Sequence, residues 1–254
     1  MLLFVIPLKS AKISKNWLQT SRIFERCLKA ACNQTSDQFR VIVVCNEKPE
    51  IQFSHPAVEF LQVDFLPPEK EKHPIAKGLT DKGRRVLRGL IHARDSDIHY
   101  SHAMLVDADD CVSNRLAEFI ERHRDCHGWY LSSGYKYREG ESSIYIKRMA
   151  FYRMSGTANI LRFDLLDLPE LPEYNRGYGY YKFYLNHQKV KSIMAERGTA
   201  LKSLPFPGAA YILSTGDNMS GNDDHLSFNW FNRKKLTPAI VAEFGLYSID
   251  LSMP

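Results

Sequence analysis

The segment His102–Cys111, HAMLVDADDC, constrains this chain more than any other. Ala103, Met104, Leu105 and Val106 form an apolar run long enough for a buried strand. Three acids, Asp107, Asp109 and Asp110, follow at once. A strand that ends in acids sets them at the carboxyl edge of a sheet, and in open α/β sheets ligands bind outside that edge. Hard oxygen donors placed there suit Mg²⁺ or Mn²⁺, often shared with substrate phosphates. A plainer reading is a strand-end turn in which Asp110 or Ser113 caps the following helix. One cap accounts for one polar side chain. Three neighbouring carboxylates repel one another and need a cation or hydrogen-bond donors to offset that repulsion.

The flanking pattern supports a doubly covered sheet. Leu2–Leu8, Arg40–Cys45 and Val58–Phe65 read as further buried strands, and Pro7 is tolerable only because it sits near a strand end. A helix is expected over about Asn16–Ala31, where Trp17, Ser21, Phe24, Leu28 and Ala31 recur at three- and four-residue steps. A second is expected over Asp81–Arg94, after a proline- and lysine-bearing loop, Leu66–Thr80, and a third over Ser113–Arg124. Strand and helix alternate with short connections, so a mainly parallel sheet with right-handed crossovers follows. Lys82 and Arg85 stand early in the expected second helix, near the end that favours anions. Beyond residue 125 the pattern changes. Trp129–Tyr152 alternates as antiparallel strands do, with a turn at Arg138–Ser142. Ala158–Phe163 reads as a strand, Phe183–Glu196 as a helix and Ala209–Leu213 as a last apolar run.

Composition narrows the class. With 254 residues, 44% hydrophobic and 25% charged, the chain can bury a large core and is unlike a disordered protein. The formal charge of +5 suits an anionic substrate, an acidic membrane surface or nucleic acid. No arginine-rich run with interleaved aromatics is present, so nucleic acid is not expected as a partner. Five cysteines with no CxxC pair indicate neither a zinc site nor a disulfide framework. Cys27 and Cys45 read as reduced core residues, which points to the cytoplasm. The apolar start, Met1–Leu8, is too short to span a membrane and lacks a basic leader.

Taken together, these residues resemble the GT-A glycosyltransferases, in particular the family-2-like enzymes. FVIPL resembles the opening strand of that family, and Asn33–Glu47 its first helix end and second strand. The spacing from Lys82-Gly83 to Arg88-Gly89 is similar to its basic helix, and Val106–Asp110 to its metal-binding acidic motif. The resemblance covers about the first half of the chain. It implies an α/β, Rossmann-like, mainly parallel sheet flanked by helices, with a mixed or antiparallel C-terminal acceptor part. One domain over 1–254 would hold a nucleotide-sugar-binding half, 1–125, and an acceptor-binding half, 126–254.

The resemblance also implies roles. Pro7 and Leu8 would line the nucleotide, Asn46 or Glu47 would contact base or ribose, and Asp64 would lie near the base. Lys82 or Arg85 would neutralise phosphate. Asp107 would face the ribose or sugar and Asp109 would hold Mn²⁺ or Mg²⁺, with Asp107 and His225 as further metal ligands. Asp110 would support the metal or cap a helix. The family's acidic pair at the catalytic-base position has no clean copy here; Asp223 and Asp224 are the best candidates and Asp217 the next. The reaction implied is metal-dependent transfer of a sugar to an acceptor hydroxyl on a saccharide, lipid or other compound. Peripheral membrane contact would suit a lipid-linked acceptor. Tyr178, Tyr180, Tyr181 and Trp230 are candidates to stack on a sugar, although core packing suits most of them as well.

Two rival readings differ in class. DADD with the later GDNMSGND loosely resembles haloacid-dehalogenase-like phosphatases, which would make Asp107 a nucleophile and Asp109 an acid. Against it, the motif follows several strands, and Cys111 stands where Thr or Val is expected. The other rival is a non-catalytic nucleotide binder that keeps the fold.

Overall fold

The computed structural model describes residues 1–68, 71–213 and 230–249. Its centre is a sheet built on β1 (Leu2–Pro7), β2 (Phe39–Cys45), β3 (Val58–Gln62) and β4 (His102–Leu105). These strands run parallel in the order β3-β2-β1-β4. Beyond β4 the sheet continues with β9 (Asn159–Arg162), antiparallel to β4, then β6 (Gly128–Tyr130) and β10 (Lys202–Ser203). The sheet is therefore mostly parallel with an antiparallel insertion, the mixed α/β arrangement that the GT-A resemblance implies.

Strand periodicity sorts the core into two layers. Leu2, Phe4, Ile6, Val41 and Val43 face one side, where they meet Phe24 and Leu28 of α1 (Trp17–Cys32) and Leu116 and Ile120 of α3 (Leu116–Arg122). Leu3, Val5, Ile42 and Val44 face the other. There they meet Leu87 and Leu90 of α2 (Pro74–Arg94), Tyr181 of α4 (Tyr178–Leu185), and Val190 and Met194 of α5 (His187–Glu196). Covering both faces is what turns these strands into continuous apolar runs.

A second sheet has the order β12-β8-β7-β11-β5, from β5 (Cys111–Val112), β7 (Gly134–Arg138), β8 (Ser143–Lys147), β11 (Ala209–Leu213) and β12 (Arg233–Lys235). Its strands pair antiparallel except for β7 with β11, and α6 (Pro238–Phe244) packs on it through Phe244. All five cysteines are free thiols. Among the described residues no helix is long and apolar enough to cross a membrane.

Several expected boundaries move. The second helix begins at Pro74, not Asp81, because proline at the first helical position costs no hydrogen bond. The expected loop Leu66–Thr80 is therefore half helix. The expected single helix Phe183–Glu196 is two, α4 and α5, broken at Asn186. The third helix is shorter than Ser113–Arg124, and Trp129–Tyr152 divides between the two sheets. The turn at Arg138–Ser142 is present, with Gly140 at φ 79°.

Candidate functional site

Three elements end at one place. The last residue of β1 is Pro7, and Leu8 resumes the ladder by donating to the Val44 carbonyl at 2.9 Å. Next door, Val106 donates to the Val5 carbonyl at 3.0 Å, and the chain then turns, Asp110 N–H bonding the Asp107 carbonyl at 3.0 Å. Helix α2 crosses the same edge. Its Gly89 touches the sheet so closely that a Cβ there would sit 2.8 Å from Val5 Cγ1 and 3.0 Å from Val44 Cγ2. This close approach brings Lys82 and Arg85, one turn apart on α2, over the acidic turn.

Between these elements lies a cleft of about 660 Å³, within the range of small-molecule sites. Pro7, Leu8, Lys82, Arg85, Asp107 and Asp109 all line it. Six of the residues expected at the donor or metal site therefore share one cavity. The argument from the helix N-terminus does not survive, since Lys82 lies more than about two turns inside α2. Lys82 reaches the site as a side chain.

Each charged group has a definite arrangement. Lys82 Nζ donates to Asp107 Oδ1 at 2.5 Å, and both side chains are about one-fifth exposed. Arg85 is buried. Its Nε donates to Asp81 Oδ2 at 3.1 Å and its Nη2 to Asn46 Oδ1 at 2.5 Å. Its Nη1 has no hydrogen-bond partner among the described residues. A buried guanidinium nitrogen without an acceptor is costly, so it marks a place where an anion would be welcome.

Asp109 faces the cleft, whereas Asp110 does not. Asp110 is fully buried, accepts from Ser155 Oγ at 2.8 Å and from Ile212 N–H at 3.4 Å, and makes no cap on α3. Burial, with Asp109 and Asp107 alongside, holds its carboxyl well above the usual range. Ser113 Oγ accepts from Arg115 N–H at 3.3 Å but makes no side-chain cap on α3, whose N-cap is Arg115.

Of the remaining expected residues described, only Tyr178 lines the cleft. Asn46 braces Arg85 and donates to the Phe65 carbonyl at 3.1 Å. Glu47 accepts from Ser10 Oγ at 3.0 Å and Ala11 N–H at 3.1 Å, so it shapes the loop after β1. Asp64 is exposed, on the chain leaving β3. Of the aromatics, Tyr178 lines the cleft, Tyr181 is buried in the core, Tyr180 is partly exposed beside it, and Trp230 is exposed against Phe231. Asp217, Asp223, Asp224 and His225 lie outside the described residues.

Sequence reasoning missed the segment Ser155-Gly156-Thr157, which cradles the acidic turn. Asp107 N–H donates to Thr157 Oγ1 at 2.8 Å. Gly156 backs the ion pair: a Cβ there would lie 2.7 Å from Asp107 Oδ2 and 3.0 Å from Lys82 Nζ. The reading also missed His187, which lines the cleft at the start of α5. Its Nδ1 lies 2.6 Å from the Tyr152 carbonyl. Burial lowers its pKa; the Tyr152 carbonyl and Asp107 act the other way, and Lys82 reinforces the lowering. A lone Gly and a lone His carry no pattern that would single them out in a sequence.

No protein-family model matches the chain, and no curated protein matches it. Solved structures of similar shape include three of interest. One is S. aureus TarS, residues 1–349, in complex with UDP, with 11% identity, 84% of this chain and 60% of that chain covered, and TM-score 0.46. Another is Francisella tularensis 2-C-methyl-D-erythritol 4-phosphate cytidylyltransferase, with 11% identity, 96% and 97% covered, and TM-score 0.39. The third, from Desulfovibrio desulfuricans G20, is provisionally described as a nucleotide-diphospho-sugar transferase, with 8% identity, 83% and 80% covered, and TM-score 0.39. The chain spans only 37% of a longer TarS chain.

Proposed function

We propose that this chain is a glycosyltransferase that moves a sugar from a nucleoside-diphosphate donor to an acceptor hydroxyl. The observation that carries the reading is Arg85. Its guanidinium is buried and held from two sides by Asp81 and Asn46, its Nη1 has no hydrogen-bond partner among the described residues, and the residue lines the same cleft as Lys82 and Asp109. A diphosphate supplies the oxygens that such a group lacks.

The carboxylates of the cleft are a donor set for a divalent cation. Asp109 and Asp107 bring carboxylate oxygens from one turn into one cleft. Among the described residues no group of three His, Cys, Asp or Glu is placed to hold a metal. Two carboxylates fit Mg²⁺ or Mn²⁺, ions that keep waters and share substrate phosphates rather than demanding a full protein cage. Asp109 would be the leading ligand, with Asp107 beside it. Such an ion, when bound, supplies Lewis acidity toward the departing diphosphate. The chain's own part is fixed positive charge. Lys82 and Arg85 stabilise the negative charge that builds on the leaving group, and they are already in place before it forms. Pro7 and Leu8 offer an apolar wall for the nucleoside. Met154, Gln188 and Tyr211, from the second half of the chain, also line the cleft and would face the acceptor.

The test is a thermal-shift and calorimetric screen of UDP, GDP, dTDP and CDP, with and without Mn²⁺. A ligand bound only by the native state raises its apparent stability, by about 2.7 kcal/mol at a hundredfold excess over Kd. At least one nucleotide is expected to shift the wild type, and R85M and D109A are expected to lose most of that shift. A wild type indifferent to all four would end the donor reading. Release of inorganic phosphate from simple phosphomonoesters would instead favour the phosphatase alternative. Binding without any donor cleavage would favour the non-catalytic one.

A further inference from the structure

Of the three acids in the turn, Asp107 is engaged by Lys82, Asp110 is sealed in the interior, and Asp109 is the leading candidate to hold the cation in the reading above. We propose that His187 is the base that accepts the hydroxyl proton in the transfer. The proposal rests on the glycosyltransferase reading above and deepens it.

The geometry is specific. A carbonyl oxygen can only accept, so the 2.6 Å contact of Nδ1 with the Tyr152 carbonyl places the ring proton on Nδ1. Nε2 is then the lone-pair nitrogen, on a residue that lines the cleft. The backbone around it is anchored: Asn159 Nδ2 donates to the His187 carbonyl at 3.1 Å, and Gln188 Nε2 donates to the Arg153 carbonyl at 2.9 Å. A base oriented by a second group, beside a cleft, is the arrangement general-base catalysis needs. The charged groups that act on the ring are Asp107 from the β4 exit and Lys82 from α2, while Arg153 and Lys191 lie against the ring of Tyr152, whose carbonyl holds Nδ1. Burial and Lys82 favour the neutral imidazole, the form able to act as a base.

In the step, the acceptor O–H proton passes to Nε2 while the oxygen bonds to the anomeric carbon. The bond from that carbon to the diphosphate oxygen breaks, and its electron pair leaves with the nucleoside diphosphate. The imidazolium then returns its proton to solvent. Attack opposite the leaving group inverts the anomeric centre.

The test uses the full chain, with UDP-, GDP- and dTDP-hexoses as donors, water as acceptor, and nucleoside diphosphate release as the readout. H187A and H187Q are expected to bind the nucleoside diphosphate as wild type does. Their kcat should fall by about 10²–10⁴-fold, with little change in donor KM. Added imidazole should restore part of the H187A rate. H187Q carries the test if H187A fails to fold. Either variant turning over within about threefold of wild type, or losing nucleotide affinity in proportion to rate, would overturn the assignment. So would an equal collapse in D223N or D224N alongside near-normal H187Q. A wild type that binds no nucleotide at all defeats the donor reading itself. That outcome is distinct from a wild type that binds and cleaves while H187Q does the same.

Discussion

Gly156 shows how much one missing carbon controls. Its backbone lies against the Asp107 carboxylate and the Lys82 ammonium, and a methyl group in that place would meet Asp107 Oδ2 at 2.7 Å. G156A should therefore spread the ion pair and disturb the cleft without opening a core cavity. We expect nucleotide affinity to fall about tenfold or more, with only a modest change in melting temperature; calorimetry beside a melting curve checks both. Asp110 teaches the complementary lesson about legibility. In the sequence it is one of three equivalent acids. In the structure a single reversal of the chain, closed by the Asp110 N–H, sends its side chain inward to Ser155 and leaves Asp107 and Asp109 facing the cleft. Residue type announced a charged strand end. Which acid faces out depends on turn geometry and on Ser155, which is 45 positions away.

At the scale of elements, α2 is held by contacts that only small residues allow. A Cβ on Gly83 would come within 2.4 Å of Tyr181 Cβ, an atom fixed to the α4 backbone, so the clash cannot be relieved by a rotamer change. Overpacking of this kind costs about 1–3 kcal/mol, more than the helix preference of alanine over glycine returns, about 1 kcal/mol. G83A should lower the melting temperature by several degrees, whereas G179A, whose added carbon meets nothing within 4 Å, should hold or raise it. Strands β1 and β2 were legible because both faces are covered and each is almost wholly apolar, whereas β3, expected as a buried strand, is an edge strand, VEFLQ, with no fully buried residue. Helix limits were less legible. Pro74 looks like a breaker and acts as a starter, and the interruption at Asn186 carries no glycine or proline to announce it. The second sheet was legible only in part: its hairpin shows the expected alternation, but β5 is two residues long and takes its place through pairing with β11.

Across the whole molecule, helix α1, which packs on the first sheet, is tied to the end of β7 in the second by an ion pair inside the protein. Arg26 of α1 donates through Nη1 to Glu139 Oε2 at 2.7 Å and to the Tyr247 carbonyl at 2.8 Å, while Ile249 N–H bonds Glu139 Oε1 at 2.9 Å. The Arg26 side chain is fully buried and that of Glu139 nearly so. Removing one partner strands a charge in the interior, so E139A should cost about 3–5 kcal/mol in urea unfolding. A cost below about 1 kcal/mol would show that the joint is not structural. The Lys82–Asp107 pair has a different bearing on the molecule. An ammonium already neutralised at 2.5 Å exerts little long-range pull; an incoming anion must outbid a resident carboxylate. Under the proposed function, a doubly phosphorylated ligand is expected to displace that carboxylate where a weakly charged one does not, so the cleft would select by ligand charge before any contact with a base or sugar is made.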